Sequence, residues 1–430
     1  MTYERGNVAP SLGAQRKIRA DPIGGSATDP RSGRPATALH AILLLSAGCM
    51  SPLGAVLIAP VLPRLSEEYA SHPGASFLVP AVLTAPALMV GLIAPFAGWI
   101  IDRLGRKRIL VWALVIYSVL GVAPLFLDSL PAIVATRAGV GVMEAAIATC
   151  ATTLITDYYS GNRRNRYLGL NALFAAVAAA IFLTIGGILG ENGWRVPFWL
   201  YLAGVVIAVP IAFVIFEPKS DHVHGKPRTL VPPIPTTYIL FPIFASFLTG
   251  IALFSVVVEL PYVLTNLGIT SSSTIGILTA MTSAGTALGA FLFRRLAVIR
   301  VAVLVPVSLG IAGLGIVLIW AAQVTDTGAT LAVSGSVLSS FAVGVLIPAT
   351  LGWGVARLLV EQRGRAIGRT NSALFVGQFI APIVITWLVM PLGRLEVALG
   401  AIGSVIVLVA VVLAGLLSRR DEPKLTETQI

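Results

Sequence analysis

Long stretches without a charged residue are the feature that most constrains the fold of this chain. In the second half, uncharged runs cover 229–258, 260–293, 301–325, 327–356, 370–393 and 397–418. A helix of about 20 apolar residues is long enough to cross the ~30 Å hydrocarbon core of a bilayer. Only 11% of the 430 residues are charged, and the mean hydropathy is +0.89. Because soluble proteins carry about 25% charged residues, the chain is predicted to be an all-α membrane protein.

The uncharged runs predict twelve transmembrane helices, six in each half of the chain. The predicted spans are 38–62, 76–101, 109–127, 131–156, 167–190, 196–216, 236–258, 270–293, 301–322, 328–355, 370–390 and 395–417. The predicted domains are a disordered cytoplasmic tail at 1–37, an N-terminal bundle at 38–216, a polar cytoplasmic connector at 217–235, a C-terminal bundle at 236–417 and a cytoplasmic tail at 418–430. Two similar bundles around a central path are typical of secondary transporters.

The basic residues fall almost entirely on one side of the predicted membrane. All but four of the 30 Lys and Arg residues lie in the two tails, the connector, or the loops after spans 2, 4, 8 and 10. The exceptions are Arg64, Arg137, Arg195 and Arg394. Because cytoplasmic loops are enriched in Lys and Arg, both termini are predicted to be cytoplasmic, in a plasma (bacterial inner) membrane. This distribution explains the net charge of +11 without a nucleic-acid partner, and a surface for anionic lipid is a second use of the same charges.

The loop after span 2 carries a motif at 98–108, Gly-Trp-Ile-Ile-Asp-Arg-Leu-Gly-Arg-Lys-Arg. This stretch resembles the loop signature of the major facilitator superfamily, G-x-x-x-D-R-x-G-R-K-R, in every fixed position. The positions that we single out are Gly98, Asp102, Arg103, Gly105 and Arg106. Gly98 has no side chain, so a neighbouring helix can approach closely there. Gly105 permits a positive φ in a tight turn.

The resemblance to this superfamily implies two six-helix bundles that rock against each other. In the family, the acid at Asp102 faces the N-terminus of span 11, where the helix dipole favours negative charge. Arg106 is placed to pair with an acid at the cytoplasmic end of span 4, where this sequence has Asp157. Such a cluster would form a latch that holds one orientation and releases in the other. The alternative is that the loop only directs membrane topology.

Span 4 contains two charged residues, Arg137 and Glu144, seven residues apart. This spacing places them on one helix face and about 10 Å apart along the axis. Charges at membrane depth are costly and mark functional sites by default. Glu144 is the only acid predicted to lie deep in a span, and removal from water favours the neutral form of a carboxyl group. We therefore expect a proton-coupling pair, with a purely structural pair joining spans 1, 4 and 5 as the alternative.

The end of span 5 resembles the twelve-span drug:proton antiporters of the same superfamily. These antiporters commonly show G-P-x-x-G-G followed by W-R-x-x-F. Here the Gly-Gly pair stands at 186–187 and Trp-Arg-x-x-Phe at 194–198. Phe182 and Leu183 replace the Gly-Pro pair, so no proline removes a helical hydrogen bond at that point.

Four further polar residues are candidates for the substrate path. His40 begins span 1, where an interfacial position is expected, although imidazole also titrates near neutral pH. Asn171 and Gln378 lie within spans and either line the path or hydrogen-bond between helices. Glu259 is predicted to close span 7 at the outer edge, as a gate residue or as a solvated acid.

The predicted function is secondary active transport by alternating access. The sequence has no Walker loop, no H-E-x-x-H and no G-x-S-x-G, so we predict no enzymatic activity, no metal and no cofactor. The resemblance implies a monomer that exports a small amphipathic or drug-like molecule in exchange for protons. One alternative is an uptake symporter or facilitator for a small organic anion or metabolite, with Arg137 as the anion site. Another is a transport-inactive membrane sensor or scaffold.

Overall fold

The protein is described by a computed structural model that covers residues 27–28, 35–217, 233–322 and 328–418, without the side chains at 98, 99, 102, 360 and 361. Within these residues, twelve helices are long and apolar enough to cross a membrane. Numbered along the chain, they are α1 Ala38–Glu68, α2 Ala75–Leu104, α3 Arg106–Leu125, α4 Leu130–Tyr158, α5 Gly161–Gly190, α6 Val196–Val214, α7 Thr236–Asn266, α8 Ser272–Leu296, α9 Val301–Ala321, α10 Gly328–Val355, α11 Val360–Leu392 and α12 Leu395–Ser418. The predicted fold class is confirmed. The predicted tails and connector lie largely outside the described residues.

The helices form two six-helix bundles, α1–α6 and α7–α12, that meet along two long seams. In one seam α2 packs against α11, and in the other α5 packs against α8. Exchanging the two bundles helix for helix converts the first seam into the second, as expected for a pseudo-two-fold axis along the membrane normal. Each bundle has its own apolar core, but Phe254, Val257 and Val258 of α7 pack into the core of the first bundle.

Two helices extend well beyond the spans predicted from charge. Helix α7 continues to Asn266, past the predicted end at 258, and α11 begins at Val360 rather than at 370. A charged residue marks the edge of the hydrocarbon core, but the helical hydrogen bonds continue beyond that edge. Glu259 therefore lies inside α7, seven residues before the end of the helix, and the predicted helix end at 258 is wrong.

Helix α1 is not continuous. It consists of Ala38–Gly48, Met50–Val56, a 3₁₀ turn at Ala59–Val61 and a final segment at Leu62–Glu68. A proline stands in the first turn of each of the last two segments, where its missing N–H costs no helical hydrogen bond. The second of these segments contains Gly54, which contacts the buried charges of α4.

The two ends of the molecule differ in charge. We call the end that carries the basic loops 103–108, 163–166 and 294–300 the basic end. We call the other end, with the loops 69–74, 191–195 and 267–271, the opposite end. The candidate site lies between these ends, and both ends carry contacts that bear on its access.

Candidate functional site

Arg137 and Glu144 lie in the middle part of α4 and are withdrawn from solvent. Arg137 has no exposed surface, and Glu144 is 3% exposed. Charged side chains are almost never buried this fully unless other groups compensate for the lost hydration. Their surroundings therefore determine what they can do.

Arg137 is held by backbone carbonyls and aromatic rings of the first bundle. Its Nη2 donates to the carbonyl oxygen of Gly54 at 2.9 Å and to the hydroxyl of Tyr201 at 2.6 Å, and its Nε donates to the carbonyl oxygen of Val82 at 3.2 Å. The guanidinium carbon lies 4.8 Å from the centre of the Tyr201 ring and 5.8 Å from that of Phe198. These donors and rings replace water around the cation, and only Nη1 has no hydrogen-bond partner.

The carboxyl group of Glu144 packs against the backbone of Gly54 in α1. A Cβ atom at position 54 would lie only 2.7 Å from Glu144 Cδ, so a larger residue there would displace the carboxyl. Oε1 is buried and has no hydrogen-bond partner in the described part of the chain. Among the described ion pairs, none joins Glu144 to Arg137. The two charged residues meet instead through Gly54, whose carbonyl binds Arg137 and whose Cα touches Glu144.

Glu259 is a second carboxyl buried within the membrane-spanning region. It is 5% exposed, so the alternative of a solvated acid at this position is wrong. Ser255, one helical turn earlier on the same face of α7, is also buried, and its Oγ has no partner among the described residues. The charge pattern misled here because Glu259 was the first charge after a long uncharged run.

The three other path candidates lie in different parts of the fold. His40 lies at the start of α1, where its Nδ1 is 3.1 Å from the backbone nitrogen of Thr37, so it acts as a helix cap. Asn171 of α5 faces Gly48 of α1, and its buried Oδ1 has no partner among the described residues. Gln378 is buried on α11, where α11 packs against α7. The structure does not bring these three side chains together.

The loop after α2 forms a charged cluster at the basic end. Arg106 pairs with Asp157 at the end of α4, and Gly105 adopts φ 90° in the turn that precedes α3. Glu217 accepts hydrogen bonds from the backbone nitrogens of Arg106 at 2.7 Å and Lys107 at 2.9 Å. It thus neutralises the N-terminus of α3, where a negative charge is favoured.

The remaining loop positions are less fully described. Arg103 is exposed. Position 98 lies in α2. Its contacts lie outside the described part of the structure, as does the side chain of Asp102. The predicted contact between Asp102 and the start of α11 therefore stays a prediction.

A carboxylate bridges the two bundles at the opposite end. Glu191, at the C-cap of α5, accepts a hydrogen bond from Ser271 Oγ at 2.8 Å and another from the Ser273 backbone nitrogen at 2.9 Å. Ser271 is the N-cap of α8, so an acid of the first bundle caps a helix of the second. Arg64 holds the same carboxylate through Nη2 at 2.9 Å. We call Glu191, Ser271, Ser273 and Arg64 the acid clamp.

Further contacts between the bundles lie beside the acid clamp. Ser66 of α1 and Tyr262 of α7 are hydrogen-bonded through their hydroxyls at 2.9 Å. In the α5–α8 seam, a Cβ atom on Gly187 would lie 3.0 Å from the Cα of Gly276, and a Cβ atom on Gly276 would lie 3.0 Å from the Cα of Gly187. Two helix backbones thus touch with no side chain between them. The opposite end is closed in this structure.

The two glycines at 186–187 contact two different helices, α1 and α8. A Cβ atom on Gly186 would meet the carbonyl of Leu57 in α1, whereas one on Gly187 would meet the carbonyl of Ser272, just where α8 begins. The first glycine therefore sets packing within one bundle, and the second sets packing between the bundles.

The Trp-Arg-x-x-Phe pattern at 194–198 connects the opposite end to the buried arginine. Trp194 and Arg195 both bind the carboxylate of Glu68 at the end of α1, and Arg195 also pairs with Asp128 at 3.0 Å. Phe198 lies against Arg137. The pattern fixes the loop before α6 and supplies one wall of the arginine site.

Sequence reasoning missed several residues of these sites. Gly54 and Tyr201 carry no signal in a charge pattern because one has no side chain and the other looks like an interfacial aromatic. Glu191 looks like a loop acid. The three consecutive serines at 271–273 are a helix-start signal, but nothing in the sequence indicates that their partner lies 80 residues earlier.

Comparison with known proteins agrees with the fold and the motifs. A family model described as Major Facilitator Superfamily matches residues 44–242 and 242–429. The tetracycline resistance protein, class H, of Pasteurella multocida is 29% identical over 157 residues, which are 36% of this chain and 39% of that protein. The bacillibactin exporter of Bacillus subtilis (strain 168) is 28% identical over 164 residues, 36% of this chain and 40% of that protein. The chain thus spans about two fifths of the length of these relatives.

Two solved structures share the fold across most of the chain. A D-xylose-proton symporter superposes with a TM-score of 0.73 at 14% identity, covering 92% of this chain and 100% of that one. A bacterial homologue of the human lysosomal transporter Spinster, in an inward-facing and occupied conformation, gives 0.70 at 19% identity, with 89% and 97% covered. The predicted resemblance to this family of membrane transporters is confirmed. The chain belongs to the Major Facilitator Superfamily.

Proposed function

We propose that the protein exports a small amphipathic or drug-like molecule in exchange for protons, by alternating access across the bacterial inner membrane. The observation that carries this proposal is the carboxyl of Glu144, which is buried in the middle part of α4 and lacks an ion-pair partner among the described residues. A carboxyl that binds a proton in one conformation and releases it in another couples proton flow to the conformational change.

Arg137 acts in this proposal as a positioning group for Glu144. Both contact Gly54, so a movement of the middle segment of α1 would shift them together. When the carboxyl is charged, the guanidinium about two helical turns away stabilises it; when the carboxyl is neutral, the hydroxyl of Tyr201 and the carbonyls still satisfy the arginine. The pair therefore tolerates both protonation states.

The relatives support export. One is named a tetracycline resistance protein and another a bacillibactin exporter. The second bundle also supports an apolar substrate, because Glu259 is the only acid and no Lys or Arg occurs in the described middle parts of α7, α8 and α10.

The uptake alternative requires an open anion site at Arg137. The guanidinium is fully buried, it is enclosed by two aromatic rings, and its Nη2 already makes two hydrogen bonds. One free nitrogen, Nη1, is a poor substitute for the paired donors that bind a carboxylate in bidentate fashion. A transport-inactive scaffold would have no use for a buried charged pair that costs stability. Both alternatives are less favoured.

Alternating access requires separate closures at the two ends. We propose that Arg106, Asp157 and Glu217, together with the loop positions Asp102 and Arg103, form the latch of the basic, cytoplasmic end. The acid clamp at Glu191 closes the opposite, outer end. Opening the outer end must break the clamp, because its acid and its serines belong to different bundles.

Glu191→Ala is expected to shift the population toward opening at the opposite end by roughly tenfold, because two hydrogen bonds between the bundles are lost. Spin labels at Ser71 and Thr270, both exposed on the outer loops of different bundles, report the distance by electron–electron double resonance. Glu67→Ala removes an exposed acid at the same end and is the matched control. A Glu191→Ala distance distribution identical to that of the control would mean that the clamp does not hold the end closed.

The clamp is expected to be insensitive to pH in the physiological range. The backbone N–H of Ser273 and the hydroxyl of Ser271 lower the pKa of Glu191 from 4.5 to about 2. A lowered pKa in the closed state means that the stabilisation is complete above pH 4.5 and is lost only as the pH falls toward 2. Between pH 5 and 8 the Ser71–Thr270 distance in a Glu144→Gln background should therefore stay constant, and a change there would assign the pH sensor to the clamp.

Ligand-induced thermal stabilisation across a compound panel tests the substrate class. A bound ligand raises the melting temperature in proportion to the logarithm of its excess over Kd. Amphipathic drug-like compounds, a tetracycline among them, are expected to stabilise the protein, whereas sugars and small organic anions are not. Stabilisation by organic anions alone, abolished by Arg137→Gln, would favour the uptake alternative.

A further inference from the structure

A cavity at the basic end lies outside the transport path described above. It has a volume of about 300 Å³ and opens at the surface between the start of α1 and the start of α5. Its walls include Thr37, Tyr159, Arg163, Arg166 and Tyr167. The volume is at the lower limit of cavities that hold small molecules or headgroups.

The cavity is strongly electropositive. Two arginines line it, and none of the described residues in its walls is acidic. The described part of the chain offers no ion pair to Arg163 or Arg166. Two helices also begin here, α1 at Ala38 and α5 at Gly161, and the dipoles of helices are positive at their N-termini.

The floor of the cavity is rigid and neutral. The hydroxyl of Tyr159 donates to the carbonyl oxygen of Thr37 at 2.7 Å, which ties the end of α4 to the start of α1. The rings of Tyr159 and Tyr167 lie 4.4 Å apart. Burial raises the pKa of Tyr159 to about 12, so the phenol adds no negative charge that would oppose an anion.

The position of the cavity identifies the kind of anion. Both helices that begin at its rim cross the membrane, so the cavity lies where the apolar span gives way to polar residues, at the depth of lipid headgroups. Tyrosine is enriched at this depth, and basic pockets between membrane helices are typical headgroup sites. A phospholipid whose phosphate lay in the cavity would have its acyl chains in the bilayer alongside α1 and α5.

We propose that the cavity between the starts of α1 and α5 binds the phosphate of an anionic phospholipid through Arg163 and Arg166. The bound lipid links the beginnings of α1 and α5 at the end of the molecule that carries the charged loop cluster. The site is independent of the transported substrate, and it holds whether or not the export proposal is correct.

Native mass spectrometry of the full chain in detergent tests this site. With phosphatidylglycerol and phosphatidylcholine titrated separately, we expect one phosphatidylglycerol to bind in clear preference. The double variant Arg163→Gln/Arg166→Gln should weaken phosphatidylglycerol binding by roughly 25-fold, because each arginine near the headgroups contributes about fivefold. Arg164→Gln, an exposed neighbour that does not line the cavity, is the matched control and should bind as the wild type does.

Three results would overturn the proposal. Equal loss in Arg164→Gln and in the double variant would mean unspecific attraction to basic charge. Equal binding of phosphatidylglycerol and phosphatidylcholine by the wild type would mean that the cavity has no preference for an anionic headgroup. Displacement of phosphatidylglycerol by millimolar inorganic phosphate would mean that the cavity takes the free anion and not the lipid. The melting temperature of each variant, expected to match the wild type because these side chains are exposed, confirms that the fold is intact.

Discussion

Replacing Glu144 with glutamine is expected to abolish proton-driven transport completely while leaving compound binding within a few-fold of the wild type. Glutamine has nearly the same shape as the protonated acid, so it fits against Gly54 as Glu144 does. It cannot release a proton, so compound movement no longer draws proton flow. In proteoliposomes with an imposed pH gradient, the dye signal for compound-dependent proton movement should fall to that of protein-free liposomes.

The second buried acid provides the internal comparison for this result. Glu259→Gln removes a carboxyl that is similarly buried but lies in the second bundle and has no ion pair with an arginine among the described residues. We expect that variant to retain proton coupling. Unchanged coupling in Glu144→Gln, with loss in Glu259→Gln, would move the proton site to α7 and contradict the role proposed for Glu144.

Replacing Gly187 with valine is expected to prevent closure of the opposite end and to stop transport. The added Cβ would stand 3.0 Å from the Cα of Gly276 and would also collide with the carbonyl of Ser272. Backbone atoms cannot move aside as a flexible side chain can, so α5 and α8 must separate. Overpacking of this kind costs about 1–3 kcal/mol, which shifts a two-state population by roughly 5- to 150-fold toward the open form.

A glycine elsewhere on α5 separates this effect from the general cost of a β-branched residue in a helix. Gly169 has no atom within 4 Å of the position that a Cβ would occupy, so Gly169→Val should leave transport and the Ser71–Thr270 distance unchanged. The reciprocal change, Gly276→Val, should reproduce the Gly187→Val result from the other bundle. Wild-type transport by Gly187→Val would mean that the tight seam is not part of the cycle.

The sequence was sufficient for the fold because hydrophobic length and charge position act locally. Uncharged runs must be helical to satisfy backbone hydrogen bonds in lipid, so the twelve spans could be predicted one at a time. The ends of α7 and α11 could not, because a helix continues past the hydrocarbon edge when nothing breaks it. Glu259 is an example, because its charge was taken to end a helix that continues to Asn266.

Only part of the candidate site could be predicted from the sequence. Charges at membrane depth are rare, so Arg137 and Glu144 stood out. Their shared contact, Gly54, is one of 42 glycines. It matters because the interrupted helix α1 approaches α4 at this residue, and only the fold shows that approach. The acid clamp was invisible for the same reason, because Glu191 and Ser271 become neighbours only when two bundles pack together.

Net movement of a transported compound under gradients of opposite sign tests the central claim most directly. Wild-type proteoliposomes are loaded at acidic or alkaline pH, and a compound taken from the stabilisation panel is followed with time. Protein-free liposomes correct for passive trapping of weak bases. Proton exchange predicts accumulation above equilibrium in the acidic lumen, reversal of direction when the gradient is reversed, and loss of both in Glu144→Gln. Accumulation in the alkaline lumen, or equilibration that ignores the gradient, would contradict the account.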